Sequence, residues 1–261
     1  MALPDDWATS RPGASTPLWY RLRFDAVGAR QAGQVLGLLI ERACGDVQVR
    51  LNGQTVHVTH SAPQPVALDC ERPLLVALPA ALLEERANTL DLRLAGYALE
   101  QVASRQRAAA LSAPRLGPYA ELHDELRAGE GLKVALPQLS AGALMLMGLV
   151  VFLLGWWHLS ERHLRYFGAL SLAWALLTLR PWWHRLVGGG FFTEAAVVIL
   201  FGVATLLAVQ FLRHFVRRPQ RSLSWALVAQ CLVISLSLAV AGPQRLYDVA
   251  TAWYVLLVIE V

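Results

Sequence analysis

The sequence predicts an all-β sandwich domain followed by an α-helical bundle that crosses a membrane several times. The chain of 261 residues is 56% hydrophobic and only 16% charged, whereas a soluble domain has about 25% charged residues. Residues 1–136 contain 14 basic and 15 acidic side chains, and residues 137–261 contain nine basic and four acidic ones. The first part therefore has the composition of a soluble domain, and the second part that of a membrane segment.

The N-terminal part shows the alternation of polar and apolar residues that is typical of β-strands. Two alternating runs flank Asn52-Gly53, and this pair predicts a hairpin because both turn residues need a positive φ. Several short strands with regular turns favour a sandwich. Further elements are predicted as strands at 18–24, 34–41, 74–78 and 89–95, one or two helical turns at 80–86, and an amphipathic link at 119–128.

The C-terminal part contains five apolar segments, which we interpret as membrane spans. The first has 19 uncharged residues, which as a helix nearly cross a hydrocarbon core of about 30 Å. The last segment reaches the end of the sequence at Val261, so we expect the bundle to be incomplete. The five spans are predicted near residues 139–157, 164–183, 191–212, 224–241 and 247–261.

Basic residues in the short loops predict the orientation, because arginine and lysine concentrate on the cytoplasmic side. With the N-terminal domain outside, the inner loops at 158–165 and 213–223 contain six arginines and the outer loops three. Translocation of the domain needs a signal peptide, and the first residues lack its basic and apolar regions. Either the start is trimmed or misassigned, or the domain is cytoplasmic, and we favour the first. The excess of basic charge lies in the apolar part, which argues against a nucleic-acid partner.

Several short motifs resemble known proteins. The motifs are Leu3-Pro4-Asp5-Asp6-Trp7, Trp19-Tyr20-Arg21 with Phe24, Val49-Arg50-Leu51-Asn52-Gly53, Leu78-Pro79, Asn88-Thr89-Leu90 and Leu116-Gly117-Pro118. They resemble the galactose-binding-like jelly roll and, together with the following spans, the bacterial seven-transmembrane receptors with diverse intracellular signalling modules. This resemblance covers essentially the whole chain and rests mainly on the order of its parts.

The resemblance implies a periplasmic sensor domain at residues 1–136 that binds carbohydrate or another small molecule. It implies a bundle at residues 137–261 in the bacterial inner membrane, which relays the signal to a histidine kinase or a diguanylate cyclase. A homodimer, the lipid bilayer and, for a kinase, a response regulator are the expected partners. The chain departs from the family in showing five spans where seven are expected and no output module, so its own enzymatic activity is uncertain. The alternative is a membrane-anchored carbohydrate-binding protein without signalling.

The candidate ligand contacts are Trp7, Trp19 and Tyr20, whose rings could stack on a sugar or pack in the core; we favour packing. Arg21 is the fourth candidate, which we expect to be a buried partner on the same strand. Cys44 and Cys70 either form a disulfide in an oxidising periplasm or remain buried thiols, and the sequence leaves both open.

Ionisable residues within the spans are functional candidates, because their burial in lipid is unfavourable. Arg180 and Glu194 lie near the outer ends of consecutive spans and could pair, and Glu260 lies in the last span. The histidines lack the spacing of metal ligands, and we expect no metal and no cofactor. A transporter is disfavoured because few polar residues converge at mid-membrane.

Overall fold

The computed structural model describes residues 3–14, 16–27, 34–59, 70, 72–130, 135–158, 161–180, 190–216 and 221–260. Its internal contacts divide the chain into two compact units, with the boundary after Gly131. The first unit is a β-sheet domain, and the second consists of helices. The two units are described separately.

The strands of the β-sheet domain pair in antiparallel fashion in three sheets. A four-stranded sheet has the order β2-β8-β5-β6, and two three-stranded sheets have the orders β10-β3-β7 and β1-β9-β4. The strands are β1 (Asp5–Asp6), β2 (Leu18–Phe24), β3 (Leu36–Ile40), β4 (Ala43–Cys44), β5 (Asp46–Leu51), β6 (Gln54–Val58), β7 (Leu74–Leu78), β8 (Asn88–Ala95), β9 (Ala110–Leu111) and β10 (Arg115–Pro118).

The hairpin between β5 and β6 is built as its sequence predicts. Asn52 has a φ of 49° and Gly53 a φ of 85°, which is the conformation that the favoured two-residue hairpin turn needs. The side chain of Asn52 also holds the neighbouring strand, because its Oδ1 accepts from the backbone nitrogen of Thr89 at 2.7 Å. Its Nδ2 donates to the carbonyl oxygen of Leu82 at 2.7 Å and to Oδ1 of Asn88 at 3.0 Å. Asn52 therefore both forms the turn and anchors it to the start of β8.

One hydrophobic core is shared by the four-stranded sheet and the β10-β3-β7 sheet. Alternate residues of β8, such as Leu90, Leu92 and Leu94, are fully buried and meet Leu38 and Leu78 from the other sheet. This period of two explains why the alternating runs fold as half-buried strands. Residues on the opposite face of the four-stranded sheet are exposed on β2 and half-buried on β8 and β5.

Short helices complete the domain. Helix α1 (Trp7–Ser10) begins after Asp6, whose Oδ1 accepts from the backbone nitrogen of Ala8 at 3.1 Å. The predicted helical segment at 80–86 is only a 3₁₀ turn at Ala80–Leu82, because the chain becomes extended at Leu83 and buries that side chain. The segment at 119–128, which is predicted as an amphipathic link, forms helix α2 (Tyr119–Glu130).

Helix α2 packs on β3 and β10 through Leu122, which is buried. Gly37 on β3 makes this approach possible, since a Cβ there would lie 3.2 Å from Cα of Tyr119. The segment predicted as a link to the membrane is therefore part of the domain's own packing.

Among the described residues of the second unit, three helices are long and apolar enough to cross a membrane. These are α3 (Leu136–Trp157), α5 (Phe191–Phe215) and α6 (Arg221–Ala241). Two shorter helices, α4 (Arg162–Thr178) and α7 (Leu246–Glu260), lie where the second and fifth spans are predicted. Within the described residues, three helices therefore have the length and composition of membrane spans, which indicates a multi-pass membrane protein. The membrane crossing of α4 and α7 stays a prediction.

Glycines bring α3 and α4 into close contact. A Cβ on Gly168 would lie 2.5 Å from the backbone nitrogen of Phe152, and one on Gly148 would lie 3.0 Å from Cβ of Ser171. A Cβ on Gly155 would lie 2.7 Å from the backbone nitrogen of Arg165. Small residues at a helix interface allow the backbones to approach closely, and this is a main source of helix association in lipid.

Candidate functional site: an exposed aromatic and basic sheet face

The solvent face of the four-stranded sheet carries an aromatic ring and several charges. Tyr20 on β2 points into the core, so its neighbours Trp19 and Arg21 point outward. By the same alternation, β8 presents Asp91 and β5 presents Arg50 on this face. The strand register places Arg21, Asp91 and Arg50 in one row across three strands. This surface is called the Trp19 face below.

The side chains of the Trp19 face contact one another. The Cζ atom of Arg50 lies 4.7 Å from the ring centroid of Trp19, which is the geometry of a cation–π contact. Arg21 donates to Asp91 with both Nε and Nη2, at 2.6 and 3.0 Å. Trp19 nevertheless remains 46% exposed. The Trp19 ring is therefore held at the surface by its contact with Arg50.

The ion pairs fix the charge states on this face. Hydrogen bonds from Arg21, with the positive charges of Arg21 and Arg50, hold the pKa of Asp91 below its ordinary value despite its partial burial. The hydrogen bonds and charge of Asp91 raise the pKa of Arg21 in turn. Both groups are therefore fully ionised at neutral pH.

The face as a whole is basic. Its outward charged residues are four arginines and two aspartates, which leave a net charge of +2: Arg21, Arg23, Arg50, Arg93, Asp46 and Asp91. Aromatic rings can stack on the apolar face of a sugar, and guanidinium groups donate hydrogen bonds to hydroxyl or acid oxygens. Such a face can bind a saccharide, and its charge favours an acidic one.

Trp7 and Tyr20 are not part of this surface. Trp7 is fully buried and Tyr20 is 4% exposed, so neither ring can reach a ligand and both pack in the core. The Trp7 Nε1 group donates to the Tyr20 hydroxyl at 2.9 Å, and that hydroxyl donates to Oδ2 of Asp5 at 2.7 Å. Ser10 donates to Oδ1 of Asp5 at 2.7 Å, and Arg11 lies 3.2 Å from Oδ2. The residues of two sequence motifs thus form one buried network.

The network sets the titration of its members. Burial, together with the hydrogen bond to Asp5, raises the pKa of Tyr20 to about 12. Burial alone would raise the pKa of Asp5, but hydrogen bonds from Ser10 and Tyr20 and the charge of Arg11 lower it overall. A neutral phenol and an ionised carboxylate are therefore kept side by side in the interior of the β-sheet domain.

The expectation for Arg21 is wrong in one respect. Its side chain is 66% exposed and is not a buried partner. The reason is the period of two along β2, which turns Arg21 outward when Tyr20 turns inward. The residues that sequence reasoning missed are Arg50, Asp91 and Arg93. The alternating runs place each of them on an outer face, but only the strand order brings them beside Trp19.

Cys44 and Cys70 form a disulfide in the structure. Both cysteines belong to a small hydrophobic cluster with Val102, Ala108 and Ala110, which lies apart from the main core. The third cysteine, Cys231 on α6, is unbridged.

The helical unit has a buried ion pair. Nη2 of Arg180 lies 3.1 Å from Oε2 of Glu194, which is 1% exposed in the first turn of α5. The position of Glu194 is favourable because a helix N-terminus attracts negative charge. Glu260 ends α7, and its side chain lies outside the described residues. Within the described part of the chain, no three histidine, cysteine or acidic residues are grouped as a metal site would need.

Comparisons with known proteins add little to this picture. No family model matches the chain, and no curated protein matches it. Among solved structures, the chain is similar to a β-D-mannosidase from Dictyoglomus thermophilum, with 20% sequence identity and a TM-score of 0.24. The similarity covers 31% of this chain and 9% of the mannosidase chain. A TM-score this low carries no argument about fold or function.

Proposed function

We propose that the chain is the sensory and transmembrane part of a bacterial signalling receptor in the inner membrane. In this proposal the β-sheet domain is a periplasmic jelly roll that binds a small molecule, and the helices relay binding to a cytoplasmic output, a histidine kinase. The observation that carries the proposal is the Trp19 face, an exposed aromatic and basic surface on a domain that precedes apolar helices of membrane-spanning length in the chain.

The ligand is proposed to be a saccharide that stacks on Trp19. An indole ring provides a large rigid contact at a low cost in conformational entropy. Arg50 already lies over the ring, so the saccharide would stack on the side of the ring away from Arg50. The guanidinium group of Arg93, which the strand register places opposite Trp19, would bond to hydroxyl or acid oxygens beside the ring. The Cys44–Cys70 disulfide is consistent with this location, because disulfides persist in the periplasm and are rare in the cytosol.

Signal relay requires that the ligand bind one arrangement of the helices better than another. The closely packed pair of α3 and α4 is suited to move as one body, since the glycines Gly148, Gly155 and Gly168 leave no space for sliding. The homodimer and the response regulator belong to this proposal, because kinase outputs act in pairs and transfer a phosphoryl group to a partner.

Ligand binding is tested on the purified full chain in nanodiscs, with a panel of neutral and acidic oligosaccharides and thermal unfolding as the readout. We expect at least one saccharide to stabilise the wild type, and Trp19→Ala to lower its affinity by about 10- to 100-fold. Trp225→Ala, which removes an exposed tryptophan of α6, is the matched control and should bind normally. If no saccharide binds, or if both variants lose affinity equally, the ligand proposal is wrong.

Sequencing the gene beyond the codon of Val261 distinguishes the proposed output domains from one another. A helix pair with a phosphorylatable histidine supports the kinase, and a Gly-Gly-Asp/Glu-Glu-Phe run supports the diguanylate cyclase alternative. A stop codon directly after Val261 supports the second candidate function, a membrane-anchored carbohydrate-binding protein without signalling.

A further inference from the structure

At one end of the helical unit four helices meet, and three of them carry arginines. This end consists of the last turn of α3, the first turns of α4, the last turn of α5 and the first turn of α6, and is called the basic end. Its arginines are Arg162, Arg165, Arg213 and Arg221. The helices converge there because successive helices run in opposite directions, as the contacts between their ends show.

The α3–α4 junction is closed by Arg165. Its Nε donates to the carbonyl oxygen of Gly155 at 2.6 Å, which satisfies a free carbonyl in the last turn of α3. The Cζ atom of Arg165 also lies 5.5 Å from the ring centroid of Trp156. Arg165 therefore contacts both the backbone and an aromatic ring of the last turn of α3.

The other junctions repeat this mixture of aromatic and basic groups. Tyr166 of α4 stacks on His214 of α5 with ring centroids 4.9 Å apart, and the charges of Arg162 and Arg213 act on His214. Between α5 and α6, Nη1 of Arg213 lies 3.5 Å from the hydroxyl oxygen of Ser224, to which it donates. The side chains of Arg165 and Arg213 are thus held by contacts with neighbouring helices.

Acidic residues do not balance these charges. The described residues of the basic end include four arginines and one acidic residue, Glu161. Their net charge is therefore +3 when the histidines are neutral. Glu161 itself lies 3.3 Å from Nδ1 of His163. The described residues at the opposite end are balanced, with two arginines and two acidic residues: Arg180, Arg245, Glu194 and Asp248.

Exposed tryptophans place the basic end at the surface of the bilayer. Trp156 is 61%, Trp157 79% and Trp225 74% exposed. Tryptophan concentrates at the level of the lipid headgroups, where its ring meets the hydrocarbon and its N–H the polar layer. The arginines at the neighbouring helix ends are thereby placed close to the lipid headgroups.

We propose that the basic end binds the phosphate groups of anionic phospholipids. Arginine pairs with phosphate through parallel hydrogen bonds, and basic clusters between transmembrane helices bind acidic headgroups. The lipid is fixed by charge at the arginines and by its acyl chains along the apolar helices. Bound lipid would tie α3, α4, α5 and α6 together at this end and stabilise one arrangement of the bundle.

The experiment places the full chain in nanodiscs of phosphatidylcholine with one quarter phosphatidylglycerol. Lipids that remain bound after transfer to detergent are identified by native mass spectrometry. We expect phosphatidylglycerol to be enriched several-fold over its share of the bilayer. Arg221→Gln, at an exposed position, should lower this enrichment about five-fold, and Arg213→Gln should do the same.

Two further variants separate charge from folding. Arg213→Lys keeps the charge and should retain most of the enrichment, whereas Arg245→Gln removes a charge at the opposite end and should leave it unchanged. The proposal is overturned if phosphatidylglycerol is retained no better than phosphatidylcholine, or if Arg245→Gln lowers retention as much as Arg221→Gln. It is also overturned if millimolar inorganic phosphate displaces the lipid, since the basic end would then be a site for a soluble anion.

Discussion

Replacing Tyr20 with phenylalanine removes one hydroxyl group from the buried network of the β-sheet domain. The hydroxyl accepts from Trp7 Nε1 at 2.9 Å and donates to Asp5 at 2.7 Å. Without it, the buried indole N–H has no acceptor, which costs about 1–3 kcal/mol. Asp5 also loses a hydrogen bond to a charged group, typically worth about 1.5–3 kcal/mol. Ser10 and Arg11 still contact the carboxylate, so we expect a total loss near 3 kcal/mol.

The assay is thermal and urea unfolding of the full chain in detergent, followed by tryptophan fluorescence. A loss near 3 kcal/mol corresponds to a fall of roughly 10 °C in the Tm of a domain of this size. Tyr119→Phe is the control, because the Tyr119 ring lies on α2 and stacks on His123, and its stability should change by less than about 0.5 kcal/mol. Equal effects of the two variants, or a loss below 1 kcal/mol for Tyr20→Phe, would refute the role of the network.

The same network predicts how stability depends on pH. The pKa of Tyr20 is raised to about 12 from 10.0, so its contribution is complete below pH 10 and is lost as the pH rises toward 12. The pKa of Asp5 is lowered from 3.8, so its contribution is present above pH 3.8 and is lost as the pH falls through the lowered value. Tyr20→Phe should flatten the alkaline loss, which urea titrations between pH 9 and 12 would measure.

Three further predictions concern single contacts. Asn52→Ala should destabilise the β-sheet domain by about 2–3 kcal/mol in urea unfolding, because it removes four hydrogen bonds and a residue suited to positive φ; a normal urea midpoint would contradict this. Gly168→Val should weaken the α3–α4 contact and lower the thermal stability of the helices in detergent, whereas Gly142→Ala, with no atom within 4 Å of the added Cβ, should not. Glu194→Gln should destabilise the helices by about 3–5 kcal/mol, because Arg180 loses a buried partner; an unchanged Tm would show that the pair is not structural.

Local patterns were sufficient to predict most elements of the β-sheet domain. The limits of β2 and the hairpin at Asn52-Gly53 follow from alternation and turn chemistry, which depend on neighbouring residues only. The predicted helix at 80–86 is shorter in the structure because burial of Leu83 overrides local helix propensity.

The sequence alone was not sufficient to predict the candidate site. Alternation decides that Trp19 and Tyr20 lie on opposite faces, but not which of them is exposed. The contact between Trp19 and Arg50 depends on the strand order β2-β8-β5, which brings together residues from separate parts of the chain. In the helical unit, the hydropathy of the segments indicated five spans, whereas three helices have the full length within the residues that the structure describes.

The location of the β-sheet domain is the central claim of the account, and labelling of an introduced cysteine in intact cells tests it most directly. Gln54→Cys, in a Cys231→Ser background, places a thiol on the exposed strand β6 of the four-stranded sheet. A membrane-impermeant maleimide should label this thiol in intact cells as completely as in lysed cells, because the domain is proposed to lie in the periplasm. Labelling that occurs only after lysis would place the domain in the cytoplasm and contradict the proposed receptor.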